Sequence, residues 1–200
     1  MFVEATDFIR KSDPILGDII ERVGPCTLVP NIDGTHFEAV TRAIVFQQLS
    51  GKAASTIYGR FASLFSTGTP TPHELSGIHE AQLRSVGLSR MKATYVKDLA
   101  ARCLSGKVDI ERLHELEDVE ITAELTRVKG IGAWTVQMFL IFRLGRPDVL
   151  PDLDLGIRKA IQQTYSLDSL PDSATIQSLG KKWKPFCTVA AWYLWRSLEL

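Results

Sequence analysis

The sequence has few cysteines, no long apolar run and no net charge, and each of these absences excludes a class of protein. Its three cysteines, Cys26, Cys103 and Cys187, lie far apart, which argues against a disulfide framework, a zinc finger or a self-contained four-cysteine iron–sulfur cluster. No apolar run reaches the ~20 residues that a membrane-spanning helix needs. Since 23 basic residues balance 23 acidic ones, any binding to nucleic acid must come from local patches.

The beginning of the chain also lacks the features of a secretory signal. The segment MFVEATDFIRKSDPIL contains acidic residues where a signal peptide has basic ones, and it has no continuous apolar core. We therefore expect an intracellular protein, cytoplasmic and associated with the nucleoid if the source is bacterial. The 200 residues, 45% of them hydrophobic and 23% charged, are sufficient for a buried core without disulfide or metal cross-links.

The hydrophobic periodicity predicts an all-α fold. Phe37, Val40, Thr41 and Ile44 follow the i, i+3, i+4, i+7 spacing of one helix face. No long segment alternates apolar and polar residues, and the short apolar stretch 26–29 cannot form a sheet alone. The predicted helices lie near residues 4–11, 14–23, 35–47, 51–66, 79–85, 90–104, 120–127, 133–144, 154–164, 173–180 and 186–198.

The segment Leu125–Thr135, LTRVKGIGAWT, predicts two helices joined by a tight turn. The first helix would end near Val128, and the second would begin at Ala133. The two glycines of the turn permit positive φ angles and leave no side chain between the backbone and a ligand. The N–H groups at the start of the second helix then form a phosphate site. An ordinary corner between two helices is the alternative interpretation.

The turn VKGIGAWT resembles the helix-hairpin-helix of DNA repair proteins, which binds a backbone phosphate through main-chain amides. With the aspartate of LPDLDLGIRK, residues 150–159, the chain resembles the helix-hairpin-helix, Gly-Pro-Asp (HhH-GPD) superfamily of DNA glycosylases. The match is closest to its AlkA-type 3-methyladenine DNA glycosylase II branch. Further matching segments are AIVFQQLSGKAASTIY at 43–58, GLSRMKATY at 87–95, KWKPF at 182–186 and AAWYLWR at 190–196.

This resemblance covers about residues 34–198 and implies a two-lobed helical fold with a DNA cleft between the lobes. We expect one glycosylase domain over residues 1–200. Its central lobe would span about 34–145, including the hairpin 125–135, and its second lobe would combine 1–30 with 146–200. Some bacterial relatives carry an additional N-terminal α/β domain, which we expect this chain to lack.

The resemblance places the catalytic carboxylate at Asp154, which matches the family pattern D-L-G-[IV]-R-K. Asp152, two residues earlier, competes for this place, but a cap or loop role is the preferred interpretation for it. For Asp154, a helix N-cap is the alternative to the catalytic role. An N-alkylated purine is cationic and leaves as a neutral base, so one carboxylate suffices to stabilise the sugar cation and to orient a water. We expect no cofactor and no metal site, and the sequence leaves open a monovalent cation at the hairpin carbonyls.

The residues at the predicted base pocket also bear on the type of reaction. In lyase members of the superfamily, such as endonuclease III, a catalytic lysine lies two residues after the second hairpin glycine. Trp134 occupies that position and cannot form a Schiff base, so the resemblance implies a monofunctional glycosylase. A flipped base needs a pocket, for which we predict Trp134, Met138, Leu155, Trp192 and Trp195. Met138 and Leu155 replace aromatic residues of some relatives, and core packing is the alternative for Trp192 and Trp195.

Other residues are predicted to contact the DNA outside the base pocket. By resemblance, Gln48 fills the space of the flipped nucleotide, with Leu49 beside it; ordinary surface and core positions are the alternatives. Six basic residues and the single acid Asp98 between Arg84 and Lys107 suggest a phosphate-binding face, or else a solvated helix face. The complete predicted DNA-binding set is Gln47, Gln48, Leu49, Ser50, Ser89, Lys92, Lys129, Gly130, Gly132 and Thr135.

Taken together, these features predict a monofunctional glycosylase for alkylated bases such as 3-methyladenine and 7-methylguanine. We expect it to act as a monomer on damaged double-stranded DNA and not at a membrane. A glycosylase for oxidised or mismatched bases and a non-catalytic binder of distorted DNA are the alternatives. Cys187 follows KWKPF where relatives often carry an arginine, so the contact made by that arginine is lost here.

Overall fold

The computed structural model describes residues 2–49 and 51–200, and every regular element within them is a helix. This confirms the all-α prediction for the described residues. Ser50, which was predicted to contact DNA, lies outside them. The α-helices are Phe2–Ser12 (α1), Pro14–Val23 (α2), His36–Phe46 (α3), Gly51–Ala62 (α4), Pro72–Gly77 (α5), Glu80–Ser85 (α6), Arg90–Leu104 (α7), Asp118–Leu125 (α8), Ala133–Phe142 (α9), Leu155–Thr164 (α10), Ser173–Gly180 (α11) and Cys187–Ser197 (α12), and a 3-10 helix covers Ile110–Glu115.

Two short elements, α5 and the 3-10 helix, were not predicted from the sequence, although α6, of the same length, was. The six-residue helix α5 starts after the cap Thr71 and buries only Leu75 among its own residues. The 3-10 helix buries Ile110 and Leu113, one turn apart. None of the helices within the described ranges combines the length and apolar character that crossing a membrane requires.

The chain divides into two compact units, and the dividing point falls inside α9. The first unit comprises Met1–Pro30 together with Leu140–Leu200, and the second comprises Asn31–Phe139. Large buried side chains form a core in each unit. The first core includes Ile9, Leu16, Ile20, Trp183 and Tyr193, and the second includes Phe37, Ile44, Phe61, Leu83 and Leu99. Trp183 is among the largest fully buried side chains of the first core.

A buried carboxylate organises the first unit. Asp13 caps α2, with Pro14 at the first helical position, and its Oδ1 accepts the N–H of Leu16 at 3.3 Å. Its Oδ2 accepts the Tyr165 hydroxyl at 2.6 Å and Trp183 Nε1–H at 3.0 Å. Burial, together with the neighbouring carboxylate, raises the pKa of Tyr165. Because a buried charge requires such partners, this arrangement fixes the end of α10 relative to α2.

Candidate functional site

The two glycines of the turn between α8 and α9, in the second unit, differ in backbone conformation and in surroundings. Gly130 has a φ of +79°, and a Cβ atom there would overlap the ring of Tyr95. Gly132 is exposed, and a Cβ atom there would meet no heavy atom within 4 Å. The first N–H groups of α9 have no acceptors within their own helix. The open space at Gly132 therefore lets an anion approach the positive end of α9.

The Asp98 side chain is hydrogen-bonded to the main chain of the hairpin turn. Its Oδ2 accepts the main-chain N–H of Lys129 at 2.9 Å and Nε–H of Arg102 at 2.8 Å. Partial burial acts to raise the pKa of Asp98, but these two hydrogen bonds and the Arg102 charge bring the pKa below its usual value. Asp98 has no predicted role in the sequence. Its position as the single acid among six basic residues was the signal for an internal partner.

The segment that follows α3, which we call the Gln47–Leu49 loop, is bonded to the hairpin. The side-chain Nε2 of Gln47 donates to Gly130 O at 2.9 Å and to Thr135 Oγ1 at 3.2 Å. The next residue, Gln48, has a left-handed φ of +56° and an exposed side chain. Non-glycine residues adopt this conformation only occasionally, so the surrounding contacts must hold it.

Lys92 supplies contacts to the same loop from α7. Its Nζ donates to Val45 O at 2.7 Å and to Gln47 O at 2.6 Å. Burial lowers the pKa of Lys92. Ser89 caps α7 by accepting the Lys92 main-chain N–H at 3.2 Å. The predicted phosphate ligand Lys92 thus directs two hydrogens of its ammonium group to the main chain.

A groove of about 470 Å³ lies where the loop, the hairpin and the start of α7 meet. Trp134 is 40% exposed beside it, at the beginning of α9. The groove brings together most of the predicted DNA-binding residues of the second unit; Leu49, Lys129 and Gly132 do not line it. Its lining consists of Gln47, Gln48, Ser89, Met91, Lys92, Tyr95, Gly130, Trp134 and Thr135.

The basic run of the second unit is partly internal. Lys97 Nζ donates to Leu75 O at 2.9 Å and to Ser76 O at 2.8 Å, at the end of α5. With Lys92 and Arg102, three of the six basic residues hydrogen-bond to protein groups, and a fourth, Arg90, lies 3.7 Å from a carboxylate oxygen of Glu80. The predicted phosphate-binding face therefore contains fewer available cations than the composition of the run suggested.

The predicted catalytic residue lies at the first turn of α10, in the first unit. Asp154 caps this helix, and its Oδ1 accepts the N–H of Ile157 at 2.9 Å and Nε1–H of Trp195 at 2.9 Å. The Trp195 ring stacks on Phe142 with their centroids 5.7 Å apart. A Cβ atom at Gly156 would lie 2.9 Å from Asp154 Oδ1, so glycine leaves room for the carboxylate. These contacts fix the carboxylate orientation.

Asp152, the competing aspartate, has a contact that suits a loop residue. The hydroxyl of Ser173 donates to Asp152 Oδ2, which connects the loop before α10 to the start of α11. The main-chain N–H of Asp152 donates to Leu150 O at 2.9 Å. These bonds support the structural interpretation of Asp152 offered by the sequence.

The remaining predicted pocket residues differ in burial. Trp192 is only 7% exposed and packs edge-on against Tyr193, with the Arg196 guanidinium 5.4 Å from its ring centroid. Leu155, next to Asp154 in the chain, is 53% exposed. Met138 is half-buried on α9. Trp192 thus has the burial that the core alternative predicted, whereas Leu155 presents its side chain to solvent beside the carboxylate.

The cysteine that replaces a family arginine is part of the packing of the first unit. Cys187 begins α12 and is buried, and burial raises the pKa of its thiol. Its N–H donates to Asp148 Oδ1 at 3.4 Å, and Lys184 Nζ lies 3.0 Å from Asp148 Oδ2. The Lys184 ammonium and the Cys187 N–H therefore both contact the Asp148 carboxylate.

Comparison with known proteins shows which proteins this chain resembles. The family model described as HhH-GPD superfamily base excision DNA repair protein matches residues 41–185. The chain is 38% identical to DNA-3-methyladenine glycosylase 1 of Schizosaccharomyces pombe, over 82% of this chain and 73% of that protein. It is 31% identical to the alkylbase DNA glycosidase-like protein mag2 of the same yeast, over 100% and 95%. A structure of the S. pombe 3-methyladenine DNA glycosylase in complex with abasic DNA superposes with a TM-score of 0.87 and 34% identity, over 98% of this chain and 97% of that one.

Proposed function

The chain belongs to the HhH-GPD superfamily of base excision DNA repair proteins, and we propose that it is a monofunctional glycosylase for alkylated bases in double-stranded DNA. One observation in this structure supports the proposal in addition to the family membership. Asp154 caps α10 with an oriented carboxylate, which Ile157 N–H and Trp195 Nε1–H both contact through Oδ1. This is the anion that hydrolysis of a cationic nucleoside needs.

The proposed reaction uses the charge already on the substrate. In 3-methyladenine or 7-methylguanine nucleotides, the electrons of the glycosidic bond move to the cationic base, which leaves neutral. The positive charge passes to the sugar, where the Asp154 carboxylate stabilises it. A water then adds to the anomeric carbon and loses a proton to Asp154. The products are a free base and an abasic site, and no general acid or cofactor is required.

Water rather than an amine is the proposed nucleophile. Trp134 stands at the position of the lyase lysine, and its indole cannot form a Schiff base with the sugar. Lys129 is the nearest amine in the hairpin sequence, and we assign it a phosphate contact rather than a catalytic role. We therefore propose that the enzyme leaves the DNA strand intact.

DNA binding is proposed to rely on main-chain amides and on the groove of the second unit. The amides at the start of α9 would bind a backbone phosphate, and Gln48 would replace the flipped nucleotide in the stack. Trp134 and Trp195 each expose part of an aromatic ring, which suits stacking on a cationic base. The remaining DNA contacts predicted from the sequence stay predictions.

Product analysis tests this function. Duplex DNA carrying a single methylated purine is incubated with the protein, and both the free base and strand breaks are measured, with borohydride present in a parallel reaction. We expect base release, strand breaks only after alkali, and no trapped protein–DNA adduct.

Two results would contradict the proposal in different ways. A trapped adduct that disappears in Lys129→Gln would identify a lyase that uses this amine. Binding to an abasic duplex without release of any methylated base would identify a non-catalytic binder of distorted DNA.

A further inference from the structure

The Gln47–Leu49 loop is hydrogen-bonded to a half-buried ammonium group, and we propose that Lys92 is a positioning residue that holds this loop so that Gln48 can replace a flipped nucleotide. The proposal rests on the proposed glycosylase function. It assigns Lys92 a role different from the direct phosphate contact that the sequence predicted. The hydrogen bonds of Lys92 to the end of α3 carry the argument.

The two hydrogen bonds of Lys92 are made to carbonyl groups at the end of a helix. Val45 O and Gln47 O lie at the end of α3, where carbonyl groups lack the helical N–H partners of the interior. Nζ of Lys92 reaches them at 2.7 and 2.6 Å, distances typical of charge-assisted hydrogen bonds. The positive charge also offsets the negative end of the helix dipole. Lys92 is therefore the cap of α3.

The hydrogen bond from Lys92 to Gln47 O constrains the next residue of the loop, Gln48. Gln48 adopts a φ of +56° directly after the bonded carbonyl of Gln47. A non-glycine backbone does not prefer this conformation, so removal of the cap allows the loop to leave it. The Gln47 side chain extends the connection to Gly130 O. Lys92 thereby links the position of Gln48 to that of the hairpin.

The same helix supplies a matched control. Lys97 caps α5 through Leu75 O and Ser76 O at 2.9 and 2.8 Å, and burial lowers its pKa as it does that of Lys92. Lys97 does not line the groove. Replacing Lys97 thus removes an equivalent cap without touching the Gln47–Leu49 loop.

The test compares Lys92→Met with Lys97→Met in two assays. The first measures single-turnover excision of one methylated purine from a normal pair and from a mismatch. We expect Lys92→Met to slow excision on the order of tenfold from the normal pair and distinctly less from the mismatch, because a mismatched base costs less to extrude. Lys97→Met should keep the wild-type ratio. A wild-type ratio in Lys92→Met would overturn the proposal.

The second assay separates positioning from phosphate binding. Affinity for an abasic duplex is measured against salt concentration, where each neutralised phosphate contributes about 0.9 to the logarithmic slope. We expect Lys92→Met to keep the wild-type slope. A slope reduced by about 0.9 would show that Lys92 contacts a phosphate and would overturn the proposal.

Two further measurements apply if the Lys92→Met variant folds poorly or if no base is released. If Lys92→Met melts abnormally, Lys92→Arg keeps a positive charge and N–H donors, so any remaining loss of excision should again be confined to the normal pair; an equal loss from the normal pair and from the mismatch would overturn the proposal. Fluorescence of a 2-aminopurine placed in the duplex reports base extrusion without catalysis. A smaller increase with Lys92→Met than with wild type supports the role even if no base is released, whereas equal increases overturn it.

Discussion

Asp154 combines a structural role and a proposed chemical role in one side chain. It caps α10 through the N–H of Ile157, and its Oδ1 also accepts Nε1–H of Trp195. Both donors hold the carboxylate that is proposed to stabilise a sugar cation in one orientation. Trp195 is therefore a positioning group for Asp154 in addition to a predicted base contact.

The variant Trp195→Phe tests this positioning. Phenylalanine can keep the stacking on Phe142 but lacks the Nε1–H that reaches Asp154. We expect single-turnover base release to fall on the order of tenfold, as expected for a misplaced catalytic group, with little change in the melting temperature. Tyr193→Phe is the matched control on α12, because it removes only the hydroxyl that donates to Gly24 O. That control should cost about 1 kcal/mol of stability and no activity. Equal rates for Trp195→Phe and wild type would remove Trp195 from the mechanism.

Residue roles were predictable from sequence where a local pattern carries them. Asp154 belongs to a recognisable segment at the start of a helix, and its structure includes the expected cap. Asp98 and the capping role of Lys92 were not predictable, because their partners lie 31 and 45 to 47 positions away in the chain. Composition reports a basic run but not which of its charges point inward.

Among the elements, the hairpin offers a direct test of its two glycines. Gly130→Ala should destabilise the protein by about 2 kcal/mol or more, because a positive φ is combined with overlap on Tyr95. Gly132→Ala should fold normally, since nothing lies within 4 Å of the new methyl group. The methyl group would occupy the space proposed for phosphate and should lower affinity for an abasic duplex about tenfold, the scale of one hydrogen bond to a charged group.

Thermal melts and binding titrations separate these two effects. Normal affinity of a folded Gly132→Ala would mean that the phosphate binds elsewhere. A normal melting temperature of Gly130→Ala would mean that Tyr95 gives way without cost.

The loop after α3 makes a prediction of its own through Gln48. Opening a stacked pair costs a few kcal/mol, and a mismatched pair has already lost part of this stability. Gln48→Ala should therefore reduce single-turnover excision strongly from a stable pair and mildly from the same lesion opposite a mismatch. The ratio of the two rates is measured for wild type and variant, with folding checked by thermal melt. An unchanged ratio would make Gln48 a bystander and direct the same test to Leu49.

Most helices were predictable, including the six-residue α6, whereas α5 and the 3-10 helix were not. The boundaries of α2, α7 and α11 agree with the predicted ranges 14–23, 90–104 and 173–180, because cap residues and apolar spacing agree there. In helix α5 and the 3-10 helix, one or two buried residues give only a weak periodic signal. Helix α4 ends at Ala62, before the predicted residue 66, because the chain turns after Ala62 although the apolar spacing continues through Phe65.

For the whole molecule, the charge distribution predicts modest dependence of DNA binding on salt. The net charge is zero, and half of the basic run between Arg84 and Lys107 is bonded internally. Main-chain amides bind phosphate without adding a charged side chain. We expect the logarithmic salt slope for an abasic duplex to be no steeper than about −4, given about −0.9 per neutralised phosphate. A much steeper slope would show that side-chain cations dominate binding.

The most direct test of the proposed function compares single-turnover release of 3-methyladenine from duplex DNA by wild type, Asp154→Asn and Asp152→Asn. Asparagine at position 154 keeps the size and the capping oxygen but loses the charge that stabilises the sugar cation. We expect Asp154→Asn to lower the rate by a factor on the order of 10² or more while binding to an abasic duplex stays near wild type, and Asp152→Asn to cost far less. Near wild-type release by Asp154→Asn would contradict the proposed mechanism, and loss of release in Asp152→Asn alone would transfer the catalytic role to that residue.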